Sequence, residues 1–491
     1  MFKSFAFKIY VVALILRLIP VIAARSLGIG LDDMFQYDML ARSLAQGHGF
    51  RWYAESDLNQ LASFVDFDLS TAREYDPSLG VATSFRAPLY PAFLAIVYFF
   101  NGIDFSRFFA ARLAQAIFLG APLAPLTYLV AQRLFTFNSP APIKIESGKL
   151  IERTARLSAW VIAAYPLLLV YPLGLGTENP FFVLLLASFL FLLSSIERPS
   201  TSHFLLSGVF LALTALTRSV ILAFALAAFC LLFYLRGKRA IASILAFVLV
   251  VAPWTIRNSL LHGELTGIET SMGYNLYLGY HPEGKGSFFF GPSLDLLPIL
   301  DDAERDKIGT EKAIEFIKAQ PERFVPLAIN RLGFFFGLEK RVLMYFYGND
   351  LLGFIPLPLL LTISAILLLP FVIISISAAL GLSLLRWNPQ TCLLALLLIC
   401  YAIPHVFILA EDRFHLALMP YVAILAAWFW VHGFGALSLR WRESQIGKIL
   451  LILSILFVAL LVTNWGLELA RDWDKIAQLL SPTGNQSYLP Y

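Results

Sequence analysis

Apolar runs long enough to cross a membrane recur along the whole chain. A membrane-spanning helix needs roughly 20 predominantly apolar residues, and about eleven runs in the 491 residues approach or exceed that length. They lie at approximately 7–27, 107–135, 156–174, 178–196, 203–217, 219–235, 240–257, 352–385, 390–409, 414–435 and 447–467. Charged residues make up only 14% of the chain, whereas soluble domains carry about 25%. The sequence therefore predicts an all-α integral membrane protein with about eleven transmembrane helices.

The first apolar run has some features of a secretory signal peptide, because Lys3 and Lys8 precede it. Arg17 and Pro20 interrupt the run, however, and it is long enough to span a membrane. We therefore expect an uncleaved anchor.

Basic residues in the short loops indicate the orientation, because such loops are richer in lysine and arginine on the cytoplasmic side. With a cytoplasmic N-terminus, every basic short loop falls on that side: Arg133, Lys144, Lys149, Arg153, Arg156, Arg198, Arg236, Lys238, Arg239, Arg386, Arg440 and Arg442. The run 88–100 is too short to span and would break this pattern if it did, so we expect an interfacial helix there. The chain is thus predicted to be a multi-pass plasma (inner) membrane protein.

Two long segments, 28–104 and 258–348, then fall on the extracytoplasmic side. The first is acidic, and the second combines Gly/Pro-rich turns with two amphipathic helical patterns. We expect residues 1–435 to form one transmembrane module that includes both loops, and 436–491 to add a last transmembrane helix and an extracytoplasmic tail. Since the chain has no separate soluble domain, its chemistry must lie on these loops and the adjoining span ends.

Composition excludes several classes of function. The net charge of +4 gives no concentrated basic face for nucleic acid. Cys230, Cys392 and Cys400 all lie in apolar runs, without the spacing of a zinc site or a disulfide framework. The sequence contains no Gly-rich phosphate loop, so no nucleotide cofactor is predicted. A divalent metal is not indicated either, although an acidic loop could recruit one.

The strongest local signal is the segment Leu31–Tyr37, directly after the first span, which contains Asp32 and Asp33 side by side. One interpretation is that either aspartate caps a surface helix, where negative charge is favoured at the N-terminus. The other is that one of them acts as a general base on an acceptor hydroxyl. The residues alone leave both interpretations open.

Further charged residues lie on the same predicted side of the membrane. They are Arg86, Glu178, Arg218, Arg257, Arg331 and Arg413. Each has an ordinary explanation, since arginines at span ends contact lipid phosphates or water and a carboxylate there is commonly solvated. Together, however, they place carboxylates among arginines, as a reaction between a phosphate-linked donor and a hydroxyl acceptor requires.

The order of these motifs resembles one family, the polytopic glycosyltransferases with the type C fold (GT-C). The similar branch is that of the protein O-mannosyltransferases and lipid A aminoarabinose transferases (glycosyltransferase families 39 and 83). The resemblance covers about residues 7 to 430, and 468–491 falls outside it. It rests on the acidic motif after the first span and on six later elements: Arg86–Tyr90, Thr177-Glu178, Leu216–Arg218, Pro253–Asn258, Tyr274–Pro282 and Glu411–Pro420.

The resemblance implies a donor consisting of a sugar on a polyprenyl phosphate, transfer on the extracytoplasmic face and an aspartate base. In the family this aspartate is followed by an acidic residue, and by tyrosine four positions after it. Asp33 has Tyr37 at that spacing, but Met34 stands where the acid is expected, whereas Asp32 has the acid and not the tyrosine. The assignment is therefore divided between the two, with Asp33 favoured.

The remaining site residues follow from the same resemblance. Arg86 would bind the lipid phosphate, with Arg413, Arg331 and Arg257 as further donor-binding residues. Substrate-binding roles would fall to three residues: Tyr37, Glu178 and Tyr90.

The expected partners are the polyprenyl-phosphate-linked sugar, a hydroxyl acceptor on a protein, lipid or glycan, and membrane lipids. The alternative is a transporter or flippase of lipid-linked sugars. Transporters commonly show internal repeats and ionisable groups near mid-membrane. This chain shows no repeat, and its charged residues lie at the span ends, which favours an enzyme.

Overall fold

The computed structural model describes residues 4–136, 144–341, 343, 347 and 353–484. Within this part of the chain the fold is almost wholly helical, with one antiparallel ribbon that pairs β1 (Arg51–Trp52) with β2 (Val81–Ala82). The α-helices are α1 Phe5–Ala23, α2 Asp33–Ala45, α3 Glu55–Leu61, α4 Leu89–Asn101, α5 Arg107–Ala114, α6 Leu123–Leu134, α7 Lys144–Ala164, α8 Pro166–Val170, α9 Glu178–Glu197, α10 Thr201–Ala215, α11 Leu222–Arg236, α12 Ile241–His262, α13 Met272–Tyr280, α14 Phe290–Ser293, α15 Asp302–Ala319, α16 Phe324–Phe335, α17 Leu357–Ser383, α18 Pro389–Phe407, α19 Met419–Glu443, α20 Gln445–Arg471 and α21 Trp473–Leu479. The prediction of an all-α membrane protein is confirmed.

Every predicted span coincides with a helix or a helix pair. Among the described residues, 8 helices are long and apolar enough to cross a membrane, or up to 9 if the bent pair formed by α7 and α8 is one span. One of the 8 is the stretch Ser219–His262, which has 44 residues. As a single straight helix it would extend about 66 Å, roughly twice the hydrocarbon thickness, so its length suits two spans. Gly237 breaks it at φ 57, between α11 and α12. The shorter α10 has 15 residues, and the predicted run 352–385 begins outside the described residues.

The bundle has a buried centre and a lipid-facing periphery. In the most apolar 18 residues of α9, 78% of the positions are buried, and in those of the helix that ends with α19 the share is 83%. In α17 the share is 17%. Isoleucine and leucine side chains of the outer helices are exposed, as a hydrocarbon environment requires. Small residues bring the helices together: a side chain at Gly381 of α17 would meet the Leu425 carbonyl oxygen of α19 at 2.1 Å.

Charged residues collect at the two ends of the bundle. Arg133 at the end of α6 pairs with Glu197 at the end of α9 (2.7 Å), and Arg386 pairs with Glu443 (2.8 Å). These are the helix ends that the sequence places in the cytoplasm. Segment 137–143 of the predicted cytoplasmic loop 136–155 lies outside the described residues, and the orientation of the chain stays a prediction.

The first large loop is organised around a buried carboxylate. Asp38 of α2 accepts hydrogen bonds from Arg42 (2.9 Å), Arg107 (2.7 Å) and the Tyr98 hydroxyl (2.9 Å). These contacts join α2, α4 and α5. Helix α4, the predicted interfacial helix, has 13 residues and is too short to span a membrane.

The second large loop contains α13, α15 and α16. The amphipathic patterns near 301–319 and 322–337 are confirmed as α15 and α16. Helices α13 and α15 pack closely, because Gly273 lies directly against the Asp306 carbonyl oxygen, where a side chain would approach to 1.8 Å. Both large loops lie at the same end of the bundle, since Thr83 and Ser84 of the first bond to Asp302 of the second.

The orientation gives a first prediction. Asp57 is buried and paired with Arg42, so a cysteine is better placed at the exposed Ser56. In a variant without the native cysteines, we expect Ser56→Cys to react with a membrane-impermeant maleimide in intact cells. Lys238→Cys, in the turn between α11 and α12, is the control and should react only after lysis. The reverse pattern would contradict the predicted orientation and the extracytoplasmic site.

Candidate active site

A large cavity of about 1620 Å³ opens at the end of the bundle that carries the two large loops. Its wall combines residues from the first loop, the second loop, the start of α9, the turn between α18 and α19, and the end of α20. Most of its charged residues come from segments that lie at or beyond the span ends. The cavity therefore gathers polar chemistry at the boundary of the apolar bundle.

Asp32 and Asp33 occupy different positions at the start of α2. Asp32 is the N-cap residue, and its carboxylate accepts a hydrogen bond from the Met34 amide at 2.9 Å. Asp33 is the first helical residue, and its carboxylate forms an ion pair with Arg86. Its second oxygen lies 3.7 Å from the Arg413 guanidinium. Both aspartates line the cavity, but only Asp33 contacts the arginines.

The electrostatic surroundings separate the two neighbouring carboxyls. Enclosure in the cavity raises the pKa of Asp32, and the adjacent charge of Asp33 raises it further. Enclosure also raises the pKa of Asp33, but the charges of Arg86 and Arg413 outweigh that effect and leave its pKa below the usual range. Asp33 is thus ionised at neutral pH.

Arg86 is the cation closest to Asp33. Its guanidinium also donates two hydrogen bonds to Gln36, at 2.9 and 2.6 Å, and lies over the Tyr37 ring at 5.3 Å. Gln36 and Tyr37 follow Asp33 on the first turns of α2, so one helix start supplies three contacts to one guanidinium. Pro88, two residues after Arg86, is the N-cap residue of α4.

The backbone just before Arg86 is held by a buried cluster. Asp302 accepts hydrogen bonds from the Thr83 hydroxyl (2.5 Å) and the Ser84 amide (2.8 Å), and its other oxygen pairs with Arg305. Asp302 and Arg305 are both fully buried. This cluster fixes residues 83–84, and with them the position of Arg86, against α15 of the other loop.

Ser84 also contacts a histidine. Its hydroxyl lies 2.7 Å from His262 Nε2 and 3.0 Å from the Thr270 hydroxyl, and His262 Nδ1 is 3.7 Å from Asp301. The serine, histidine and aspartate are ordered as in a hydrolase triad, but Ser84 is fully buried. The arrangement therefore acts as a structural link between the loops.

A row of alternating carboxylates and arginines continues from Arg413 along the cavity wall. Glu178, at the start of α9, pairs with Arg218 at 2.8 Å and lies 3.8 Å from Arg413. Arg413 pairs with Glu411 at 2.8 Å, and Glu411 pairs with Arg341 at 2.9 Å. Acids and arginines alternate along this part of the wall, so Arg218, Arg413 and Arg341 each have a carboxylate partner.

The sequence analysis predicted that several of these residues belong to one site, and most of them line this cavity. The predicted site residues that line it are Asp32, Asp33, Tyr37, Arg86, Glu178 and Arg413. Tyr90 lies behind this wall, where its hydroxyl donates to Gln115 at 2.7 Å and its ring packs edge-on against Tyr37.

Arg257 and Arg331 are not among the cavity-lining residues. Arg257 donates to the Thr83 carbonyl at 2.6 Å, and so supports the segment before Arg86. Arg331 is fully buried and donates to the Gly279 carbonyl at 2.5 Å and to the Phe407 carbonyl at 3.3 Å. Both arginines satisfy backbone oxygens at places where loops meet helix ends.

Other cavity residues were not identified from the sequence. Gln36 lies inside the acidic motif, but an amide carries no charge signal. The C-terminal segment resembled nothing, yet its charged residues reach the wall: Glu468, Arg471, Asp472 and Lys475. Lys340 pairs with Glu468 (2.7 Å) and with Asp472, which ties the end of α20 to the second loop. The one sequence feature that could have identified these C-terminal residues is the cluster of charges at the end of the apolar helix α20.

The described residues contain no group of three or more His, Cys, Asp or Glu side chains that could hold a metal ion. The prediction that the reaction needs no metal remains untested.

Comparisons with known proteins concern the overall fold. No protein-family model matches the chain, and no curated protein matches it. Among solved structures, the archaeal oligosaccharyltransferase AglB from Archaeoglobus fulgidus, in complex with an inhibitory peptide and a dolichol-phosphate, is similar at 13% identity with a TM-score of 0.45. That match covers 99% of this chain and 56% of AglB, so the chain spans little more than half the length of that structure. ArnT from Cupriavidus metallidurans, bound to undecaprenyl phosphate, is similar at 13% identity with a TM-score of 0.39 over 88% of this chain and 79% of ArnT.

The buried cluster behind Arg86 gives a prediction about stability. Asp302→Asn keeps the shape of the side chain but leaves the fully buried Arg305 without a counter-charge, which typically costs about 3–5 kcal/mol. Glu443→Gln is the control, since its ion pairs with Arg386 and Arg440 are exposed and worth about 0–1 kcal/mol. Thermal unfolding in one detergent should show a large drop in Tm for the first variant and almost none for the second. Equal Tm values would contradict the structural role of Asp302.

Proposed function

We propose that this protein is a membrane glycosyltransferase that moves a sugar from a polyprenyl-phosphate donor to a hydroxyl acceptor on the extracytoplasmic face. The observation that carries the proposal is the position of Asp33. Its carboxylate lies between Arg86 and Arg413 in a cavity at the end of an apolar bundle. A lipid-linked sugar phosphate has one apolar part and one anionic part, and this site offers surfaces for both.

The arginines suit the phosphate. A guanidinium presents a planar fork of donors that matches phosphate oxygens. Arg86, Arg413 and Arg218 all line the cavity, and each is paired with a carboxylate when the site is empty. An entering phosphate would share these arginines with the carboxylates, so the guanidinium charges have a counter-charge before and after binding.

The apolar part of the wall suits the lipid. Four phenylalanines that line the cavity are partly exposed, by 36–53%: Phe64, Phe288, Phe289 and Phe290. Apolar side chains in contact with water cost free energy, which an isoprenoid chain recovers by covering them. This wall and the arginines together define the donor class by chemistry.

The proposed reaction requires one base. The acceptor oxygen forms a bond to the anomeric carbon, and the bond from that carbon to the phosphate oxygen breaks. The electron pair leaves with the phosphate, whose growing charge the arginines stabilise. The hydroxyl proton passes to Asp33. Attack opposite the phosphate inverts the anomeric centre, and the product is a glycosylated acceptor with free polyprenyl phosphate.

The low pKa of Asp33 in the empty site is compatible with this role. The pKa is depressed by Arg86 and Arg413, the residues that the donor phosphate would engage. Once their charge is shared with the phosphate, the affinity of Asp33 for a proton rises. The base is thus activated only when the donor is bound.

The assignment of the base gives the next prediction. Asp33→Asn should insert and fold normally but lose about 10²–10⁴-fold in transfer rate, since an amide cannot accept the proton. Asp32→Asn is the matched control, because asparagine can still cap α2, and it should retain most activity. The measurement is sugar transfer from a polyprenyl-phosphate donor, with expression level and Tm in parallel. Wild-type turnover in Asp33→Asn would eliminate it as the base, and loss in Asp32→Asn alone would move the role to its neighbour.

The role of Arg86 gives a separate prediction. Arg86→Ala should weaken donor use more than Arg86→Lys, because lysine keeps the charge but lacks the planar fork. The transfer rate is measured against donor concentration for both variants. Unimpaired kinetics in both would reduce Arg86 to a contact with bulk lipid headgroups. Net movement of intact donor across vesicle membranes, without transfer, would instead support the transporter alternative.

A further inference from the structure

Two residues that line the cavity each have a buried polar atom without a partner. The atoms are Glu339 Oε2 and His405 Nε2, and neither has a hydrogen-bond partner among the described residues. Glu339 is 3% exposed and His405 is 5% exposed. Buried polar atoms are nearly always hydrogen-bonded, so an exception in a cavity-lining residue requires an explanation, and a bound polar group is one.

Glu339 is held rigidly by its other carboxylate oxygen. Oε1 accepts a hydrogen bond from the Tyr165 hydroxyl at 2.6 Å and lies 3.1 Å from His415 Nε2. The other ring nitrogen of His415 lies 2.8 Å from the Phe335 carbonyl oxygen. The carboxylate thus has a fixed orientation, with one oxygen occupied and the other, Oε2, unoccupied.

His405 is fixed in a similar way. Its ring packs against Phe335 at 5.6 Å, Phe414 at 4.6 Å and Tyr401 at 5.0 Å between centroids. Aromatic packing of this kind leaves the imidazole no freedom to turn Nε2 toward another group of the protein.

The two groups adjoin the proposed reaction centre. Phe335 contacts the rings of both His405 and His415, and His415 in turn contacts Glu339. On the other side of His405, the Phe414 ring lies under Arg218 at 5.2 Å and Arg413 at 5.7 Å. One ring therefore separates the histidine from the arginines that we assign to the donor phosphate.

We propose that Glu339 and His405 form a subsite that binds hydroxyl groups of the transferred sugar. This inference rests on the proposed function and deepens it. A carboxylate oxygen and an imidazole nitrogen both accept hydrogen bonds from hydroxyls. Both residues line the same cavity as the arginines, and the hydroxyls of a sugar attached to the phosphate would satisfy the two atoms that the protein leaves unpaired.

Removing one such contact should affect the sugar and not the lipid phosphate. The test measures the affinity of the purified full-length protein for undecaprenyl phosphate and for undecaprenyl-phosphate-linked glucose, galactose, mannose and arabinose. For the best-bound sugar lipid, His405→Phe, which keeps the aromatic packing, should weaken binding by about tenfold to a hundredfold. Glu339→Gln should act in the same direction. Neither variant should change the affinity for undecaprenyl phosphate.

Three further variants make the result specific. His405→Gln returns a polar atom and should recover part of the lost affinity. His432→Phe, the same exchange at a histidine of α19 that is not among the cavity-lining residues, should change nothing. Arg86→Ala should weaken the binding of all the lipids, since it acts on the phosphate. Tm values report whether each variant is folded.

The outcomes separate the inference from the proposed function. Selective loss of affinity for the sugar lipid supports the subsite. Unchanged affinity in both His405→Phe and Glu339→Gln, with a wild-type protein that binds the sugar lipids, overturns the subsite and leaves the proposed function intact. Equal loss for undecaprenyl phosphate and the sugar lipid also overturns it. A wild-type protein that binds none of the lipids overturns the proposed function, and the subsite with it.

Discussion

The hydrocarbon of a membrane offers a peptide group no hydrogen-bond partner, so each crossing segment must satisfy its own backbone. That constraint makes the spans helical and moves irregular backbone to the two ends of the bundle. Charged side chains follow, because they are costly in hydrocarbon. At one end the large loops and span ends consequently bring together Asp33, Arg86, Glu178 and Arg413, which are far apart in sequence. The site is a consequence of where polar groups are allowed.

The loops hold this site without covalent crosslinks. All three cysteines are free, and buried charged residues help to hold the two loops together. Asp302 joins the second loop to residues 83–84 of the first, and its pairing with Arg305 keeps both charges compensated. A buried pair of this kind adds little net stability, but breaking it is expensive. It therefore fixes one arrangement of the two loops, and with it the position of Arg86.

The cavity contains two kinds of polar group. Along one part of the wall, arginines and carboxylates alternate and each charge is neutralised in the empty site. This arrangement suits a ligand that exchanges charge partners, as an anionic phosphate does. At Glu339 and His405, by contrast, rigid buried atoms are left unpaired, which suits a neutral ligand with hydroxyl donors. The Phe414 ring contacts both His405 and Arg218. We therefore propose that one sugar phosphate binds both kinds of polar group.

The sequence by itself determined the all-α membrane fold, the location of the spans and the helices α15 and α16, because hydropathy and periodicity are local properties. The family resemblance favoured Asp33 as the base and assigned Arg86 to the lipid phosphate, and both assignments stay predictions. Only the tertiary structure distinguished Asp32, which caps α2, from Asp33, which contacts arginines, and placed Arg331 away from the cavity on backbone carbonyls. It alone brought the end of α20 into the cavity wall. Such contacts depend on how helices distant in sequence pack together, and that packing is the sum of many weak interactions that no short motif encodes.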